Sequence, residues 1–434
     1  MGLWALPGEA RSYTLLGGSL DLGQRDYRFF NNFNDASANS NTVPDPDFPG
    51  AIGAELAVWK GAAEWNSQLH GNGGTDPEHP DGIGSGASNF DSFYTGLATE
   101  VGNVNDNTAS MISGFSGIHA YLEFPIGDGW RIRFYEGPDS WQDQPDPAKW
   151  TGPFQWDIQG TMTHEYGHAL GLNHSTVPGA TMGVPVDLGV GLRSIEDDDR
   201  AGVQFLYGAL DPAKPAIETY TLVGNSVTLH GQNFHPTNNE VWLTQRIAGG
   251  DGPPVQLFGL GSQAAGTQIT FQFPNAAKAG QVSVKRPGIM DTDLSAPFPI
   301  NPLAEPTYQL PRAYGTSKVT SAGTLPVIQV AGVPSIQQGY FELDLTGGPN
   351  FGIGIVLSAT ARNAQPFFGG TLWLGGPFVR ELVFNHQFGF ARLQVPIPSG
   401  AIPGESRFYQ LWFTDPGDPQ GVGLSHGVWV TFAE

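Results

Sequence analysis

The spacing of hydrophobic positions changes period several times along the first half of the chain. In PGAIGAELAVWKGAAEWNSQLHG, Ala54, Ala57, Val58, Gly61, Ala62 and Trp65 recur at helical spacing, which predicts a helix that stops at Gly71. RDYRFFNNF (25–33), GIHAYLEF (117–124) and WRIRFYE (130–136) read as strands, the last two joined by PIGDG. WDIQGTMTHEYGHALGL predicts a helix ending at Gly171. SIEDDDRAGVQFLYG (194–208) predicts another, with Ser194 placed to cap it, acids at the positive end of its dipole, and Gly208 as the stop. GNGGTDPEHPDGIGSGASNFD, rich in Gly, Asp and Pro, is a loop. Residues 1–210 therefore read as one α/β (α+β) unit.

From about residue 211 helical spacing gives way to short alternating runs. SVTLHGQNF, EVWLTQR, QITFQFP and GQVSVKR are strand-like and separated by turn signals, which predicts a β-sandwich over 211–300. A proline-rich stretch at 297–312 leads into a third region, 301–434. There YFELDLTG, FGIGIVLSA, GGTLWLGG, ARLQVPIP, RFYQLWFTD and GVWVTFAE again alternate like sandwich strands. The expected architecture is multidomain: an α/β unit followed by two β-sandwich-like units. Composition agrees, since 60 Gly and 35 Pro with only 14% charged residues suit many strands joined by turns.

Charge narrows the partners. The formal net charge is -21, and 27 of the 41 acids lie before residue 211. This argues against nucleic-acid binding. It fits solubility first, and otherwise calcium sites or a cleft that prefers basic substrates. The chain has no cysteine, so neither disulfides nor thiolate metal ligands are available. No run is long and apolar enough to span a membrane. The start, MGLWALPGEARS, has its apolar stretch broken by Pro7 and Gly8 and is unlike an export signal, which leaves an internal protein and a processed, exported one both open.

One stretch carries chemistry: MTHEYGHALGLNHSTVPGATMG, Met162 to Gly183. His164 and His168 are four apart, so on a helix they point the same way and can offer two imidazoles to one ion. Gly171 allows the sharp reversal that returns His174 as a third ligand. Three neutral nitrogens suit Zn²⁺ and leave a fourth position for water. Glu165 can reach that water, which predicts peptide-bond hydrolysis with Glu165 as general base and no covalent enzyme intermediate. The competing reading is a histidine-bearing core helix, but three histidines and a glutamate on one edge are costly to bury without a metal. His230, His235, His386 and His426 are scattered among strands and read as surface or hydrogen-bonded residues.

HEYGHALGLNH resembles the metzincin zinc signature at every defining position, and Met182 in GATMG falls where that family carries its methionine turn. Ser175 after the third histidine, and EDDDRAGVQFLYG with Asp198, Asp199, Gly202, Leu206, Tyr207 and Gly208, make the likeness closest to the matrixins. The resemblance covers about residues 20–210. It implies a metzincin-type catalytic domain with a twisted mixed sheet and a zinc helix. It further implies one catalytic Zn²⁺ on His164, His168 and His174, support from Gly171 and Met182, and a substrate-pairing edge strand near His119 and Ala120. Matrixins also hold a structural zinc. His119 matches one ligand, and His70 or His79 could supply another, but Arg133 and Tyr135 stand where a ligand His and an Asp are expected, so the second zinc is not carried over. The loop GNGGTDPEHPDG offers carboxylates and carbonyls of the kind Ca²⁺ takes; an ordinary solvated loop is the other reading.

SVTLHGQNFHPTNNEVWL with ITFQFPNAAKAGQVSVKRPG is similar to IPT-type immunoglobulin-like domains, and the last region to β-domains appended to secreted bacterial proteins. Such modules bind protein or carbohydrate or act as spacers; Trp373, Tyr409 and Trp412 are contact candidates, with core aromatics as the alternative. The expected function is a monomeric, extracellular zinc endopeptidase acting on protein or peptide. The alternative is a binding or adhesion protein whose metzincin domain is inactive or highly restricted.

Overall fold

A computed structural model of the chain describes residues 13–68, 76, 82–102, 107–114, 117–123, 129–137, 140–150, 155–184, 189–247, 253–304, 306, 311–331 and 334–433. The first unit is built on a five-stranded mixed sheet. Its order is Phe93–Leu97, Asp26–Phe30, Thr108–Ile112, Arg131–Tyr135 and Ala120–Glu123; the first four run parallel and the last is an antiparallel edge. Two of these strands, Phe93–Leu97 and Thr108–Ile112, escape sequence reading. Both are buried along nearly their whole length, as parallel strands covered on both faces are, so neither shows polar–apolar alternation.

Helices α1 (Gly53–Ala63) and α2 (Ile158–Leu170) pack together against the sheet. The predicted first helix ends eight residues before Gly71, and all its residues are buried, Glu55 and Lys60 included. The expected amphipathic pattern is absent because the helix is enclosed. Trp59, Trp65, Met162, Tyr166, Tyr27 and Trp130 share one apolar core with Ile132 and Phe134 from the sheet. Helix α3 (Asp197–Tyr207) starts two residues later than a Ser194 cap implies. Its N-cap is Glu196, whose N–H donates to Asp199 Oδ2 at 3.0 Å, and Gly208 ends it as expected.

Beyond residue 211 the chain forms pairs of sheets. Strands Ala216–Val223, Ser226–Gln232 and Gln268–Gln272 make one; Val255–Leu260, Asn239–Gln245, Ala277–Lys285 and Phe298–Ile300 make its companion, with Val227, Leu229, Val241, Leu243 and Val282 in the shared core. The last region has a three-stranded and a five-stranded sheet around Leu343, Val356, Leu411 and Val430. Its Phe351–Phe367 and Gly370–Gln387 strands form one long hairpin rather than the separate short strands expected, with register shifts absorbing the irregularities. Tyr409 is fully buried, which removes it as a contact aromatic; Trp373 and Trp412 are half-buried.

Both β-rich parts pack on the first unit. The Tyr94 N–H donates to Gln281 Oε1 at 2.6 Å, and Thr244 Oγ1 donates to the Tyr94 carbonyl at 3.1 Å. Buried Arg25 pairs with Asp291, and buried Lys214 with Asp91. Gln329 Nε2 donates to the Gly84 carbonyl at 2.9 Å, and the Arg200 guanidinium lies 4.7 Å from the centre of the Phe390 ring.

Candidate metal centre and its cleft

The centre is assembled from the start of α2 onward. Asp157 closes the strand Gln155–Asp157 and caps the helix, accepting the Gly160 N–H at 2.8 Å. Arg193 holds that carboxylate with two bonds, Nε to Oδ2 at 2.6 Å and Nη2 to Oδ1 at 2.7 Å. On the helix, His164 and His168 lie one turn apart with ring centres 4.9 Å from each other. Gly171 then adopts φ +108°, and a Cβ there would stand 2.1 Å from the Gly18 carbonyl oxygen. Only glycine makes this reversal without strain. The chain returns as Leu172–Asn173, pairs with Thr14–Leu15, and delivers His174.

Each imidazole on the helix is oriented by a backbone carbonyl. His164 Nδ1 lies 2.6 Å from the Thr181 oxygen and His168 Nδ1 2.8 Å from the Leu172 oxygen. These bonds leave the Nε2 atoms facing inward, where His168 Nε2 is 3.2 Å from His174 Nε2. The three side chains each present a ligand atom within 4.8 Å of the others, the one such group of histidine and acidic side chains among the described residues. Burial and mutual repulsion keep the rings neutral: His164 is lowered to about 3, His168 to about 4, and His174 is lowered by burial as well. Neutral imidazoles are what a divalent cation requires.

Glu165 lies next to the triad, buried, with Oε2 lacking any hydrogen-bond partner. Burial pushes its pKa up to about 8, against a smaller opposing effect from the Leu122 N–H that donates to it. A cation on the three histidines would favour the carboxylate instead. Met182 sits under α2, and a Cβ on Gly167 would come within 2.3 Å of its sulfur. The methionine turn is hung from α3: Asp199 accepts from the Thr181 N–H at 2.7 Å and the Met182 N–H at 3.0 Å, and Asp198 accepts from Ser175 Oγ at 2.5 Å.

Residues 100–208 match the family model described as Matrixin, a peptidase family, and all three convergent histidines fall inside that stretch. The chain carries a matrixin domain. Such a domain supports a zinc metalloprotease with peptide substrates, and the triad fits the family's zinc-binding motif. The matched stretch omits α1 and two strands of the sheet, Asp26–Phe30 and Phe93–Leu97, which the structure builds into the same core.

Above the triad of the matrixin domain lies a cleft of about 560 Å³, lined by both chemical and apolar groups, among them Leu16, Ala120, Leu122, Trp156, Glu165 and Val184. The edge strand begins at Ala120; His119 precedes it, and its ring stacks on Trp156 with centres 3.6 Å apart. His119 is thus a cleft residue, on the wall formed by the edge strand. Its carbonyl accepts the Tyr135 N–H at 2.9 Å, so by the alternation of antiparallel pairs Ala120 and Leu122 turn their backbone groups outward. His70, His79 and most of the acidic loop lie outside the described residues. Its one described acid, Asp76, faces Arg193 at 3.2 Å and Lys60 at 4.0 Å, so cations of the protein itself already attend it.

Sequence reading located the histidines, Glu165, Gly171 and Met182. It did not find Asp157 and Arg193, the Thr181 and Leu172 carbonyls, or Trp156. An acid directly before a helix was the available signal for Asp157. A carbonyl ligand-holder leaves none.

Proposed function

We propose that this protein is a secreted zinc endopeptidase in which His164, His168 and His174 hold the ion and Glu165 is the general base. The reading is carried by one observation: three neutral imidazoles converge beside a buried carboxylate with an unpartnered oxygen, at the base of an open cleft. When bound, zinc supplies Lewis acidity to a carbonyl oxygen and to water. The protein's own residues do the rest. Glu165 takes a proton from water at Oε2 and passes it to the departing amine. The outward-facing backbone of Ala120 and the Leu122 carbonyl offer an extended peptide a strand edge to pair with, the Leu122 N–H being given to Glu165. Trp156, Leu16 and Val184 exclude water from the cleft walls. Met182 and Gly171 keep the three ligands in register, and the Thr181 and Leu172 carbonyls set the tautomers of His164 and His168.

The proposed division is 1–210 for the catalytic domain, 211–300 for an immunoglobulin-like sandwich and 301–434 for a β-rich accessory domain. Among the described residues, every one that lines the cleft lies at or before Val184, which supports a spacing or binding role for the later modules. An extracellular site of action rests on the habit of the family, and no described helix is long and apolar enough to cross a membrane.

Digestion of a proteome-derived peptide pool tests this. Cleavage within peptides by the zinc-loaded protein, lost with a chelator and with Glu165→Ala, is the expected result. No cleavage, or cleavage indifferent to Glu165→Ala, would leave a binding protein with an inactive metzincin domain as the better account.

A further inference from the structure

On the sheet face turned away from α2, Arg133 ties three segments together. The alternation of Arg131–Tyr135 sends Ile132 and Phe134 into the core and the two arginines to the other side. Arg133 is nearly fully buried. Its Nε donates to Glu123 Oε2 at 2.8 Å, Nη1 to Ser110 Oγ at 2.7 Å and to the Val101 carbonyl, and Nη2 to the Gly102 carbonyl at 3.3 Å. Arg131 Nε stands 3.1 Å from the same Glu123 oxygen, as an ion pair without good hydrogen-bond alignment. Glu123 is the last residue of the edge strand, and Leu122 beside it donates its N–H to Glu165.

This face does not fit a second metal ion. Among the described residues, the groups that Arg133 bonds are one carboxylate shared by two guanidiniums, one hydroxyl and two carbonyls. A divalent cation placed there would meet two fixed positive charges. We infer that Arg133 replaces a structural metal in this protein: with Arg131 it clamps Glu123 and so positions the edge strand that borders the cleft. It is a positioning residue, acting on the substrate wall through Glu123 and the strand backbone. The functional part of this inference rests on the peptidase reading; the clamp itself does not.

The experiment uses the full-length chain, with Arg133→Gln, Arg133→Lys and Glu123→Gln. Zinc per chain is counted after saturation and desalting. Amide exchange is followed in the peptide containing 120–123, and KM and kcat are measured on one peptide taken from the pool. One zinc per chain is expected in the wild type and in every variant. Arg133→Gln should speed exchange in the edge strand about tenfold or more. It should raise KM by about tenfold with kcat little changed, because a charge-assisted bond to the substrate wall is lost. Arg133→Lys should recover part of both effects. Glu123→Gln, which leaves the other Arg133 bonds intact, should move both the same way if Arg133→Gln fails to fold. Two zincs per wild-type chain would overturn the inference. So would a lowered melting temperature with unchanged edge-strand exchange and unchanged KM. If the wild type cleaves nothing, metal count and exchange still decide the clamp, and only the peptidase reading fails.

Discussion

Replacing Gly171 by alanine separates the metal site's geometry from its ligands. Gly171 has φ +108°, and its added Cβ would lie 2.1 Å from the Gly18 carbonyl oxygen, more than 1 Å inside ordinary contact. The left-handed conformation alone costs about 1–2 kcal/mol for an L-residue. Relief of the clash requires moving either Gly18 or the Leu172–Asn173 return. That movement loosens the Leu16 N–H bond to the Gly171 carbonyl and the Thr14 Oγ1 bond to the His174 carbonyl, at about 1 kcal/mol each. The expected loss is therefore about 3–4 kcal/mol of stability in the zinc-free protein. Because the strained segment delivers His174, zinc affinity should fall too, by about tenfold or more. Urea unfolding of the zinc-free protein and competition with a chromophoric chelator measure the two quantities. A destabilisation under about 1 kcal/mol with unchanged affinity would refute the claim that this reversal, rather than ligand identity alone, holds the third histidine.

Glu165→Gln should lower kcat/KM by about a hundredfold or more while leaving zinc content unchanged, as checked by metal analysis and peptide cleavage. In the zinc-free protein the same change should stabilise at pH 8. The folded pKa of Glu165 is raised to about 8, so its contribution is present below about 4.5 and lost as pH rises through 8, and glutamine removes that loss; melting curves at pH 5 and 8 test the sign. The histidines work in the opposite direction. His164 and His168 titrate near 3 and 4 when folded, against about 6.5 unfolded, so zinc-free stability should be complete above that value and fall on acidification towards 3, which a pH series of urea midpoints will read. Asp199→Ala removes the acceptor of the Thr181 and Met182 amides and leaves two buried N–H groups unpaired; it should cost about 2–4 kcal/mol in urea unfolding and weaken zinc binding.

Local pattern was enough where the chemistry is local. Histidines one helical turn apart and a glycine at the reversal could be read from spacing, because helix geometry sets the first and a sharp turn needs the second; Met182 came from the resemblance to metzincins. The positions of α2, α3 and the strands Ala120–Glu123 and Arg131–Tyr135 followed from periodicity. The two buried parallel strands did not, since burial on both faces erases the alternation that marks a strand. The helix limits at Ala63 and Asp197 also differed from the glycine and serine signals: α1 ends within the core, and α3 starts where the Asp199 carboxylate accepts the Glu196 N–H.

Tertiary structure alone decided what holds the site. Leu122 reaches Glu165 from a strand more than forty residues away, Thr181 turns His164 from the far side of the return, and Arg193 anchors the helix cap across thirty-six residues. Backbone amides and carbonyls carry no residue-type signature, so no composition or spacing announces them. Arg133 marks the boundary between the two. Its presence in the sequence was reason to doubt a second zinc; that its guanidinium grips Glu123 is a fact of packing. Residue identity determined which chemistry was available, and the long-range contacts determined which groups could act together.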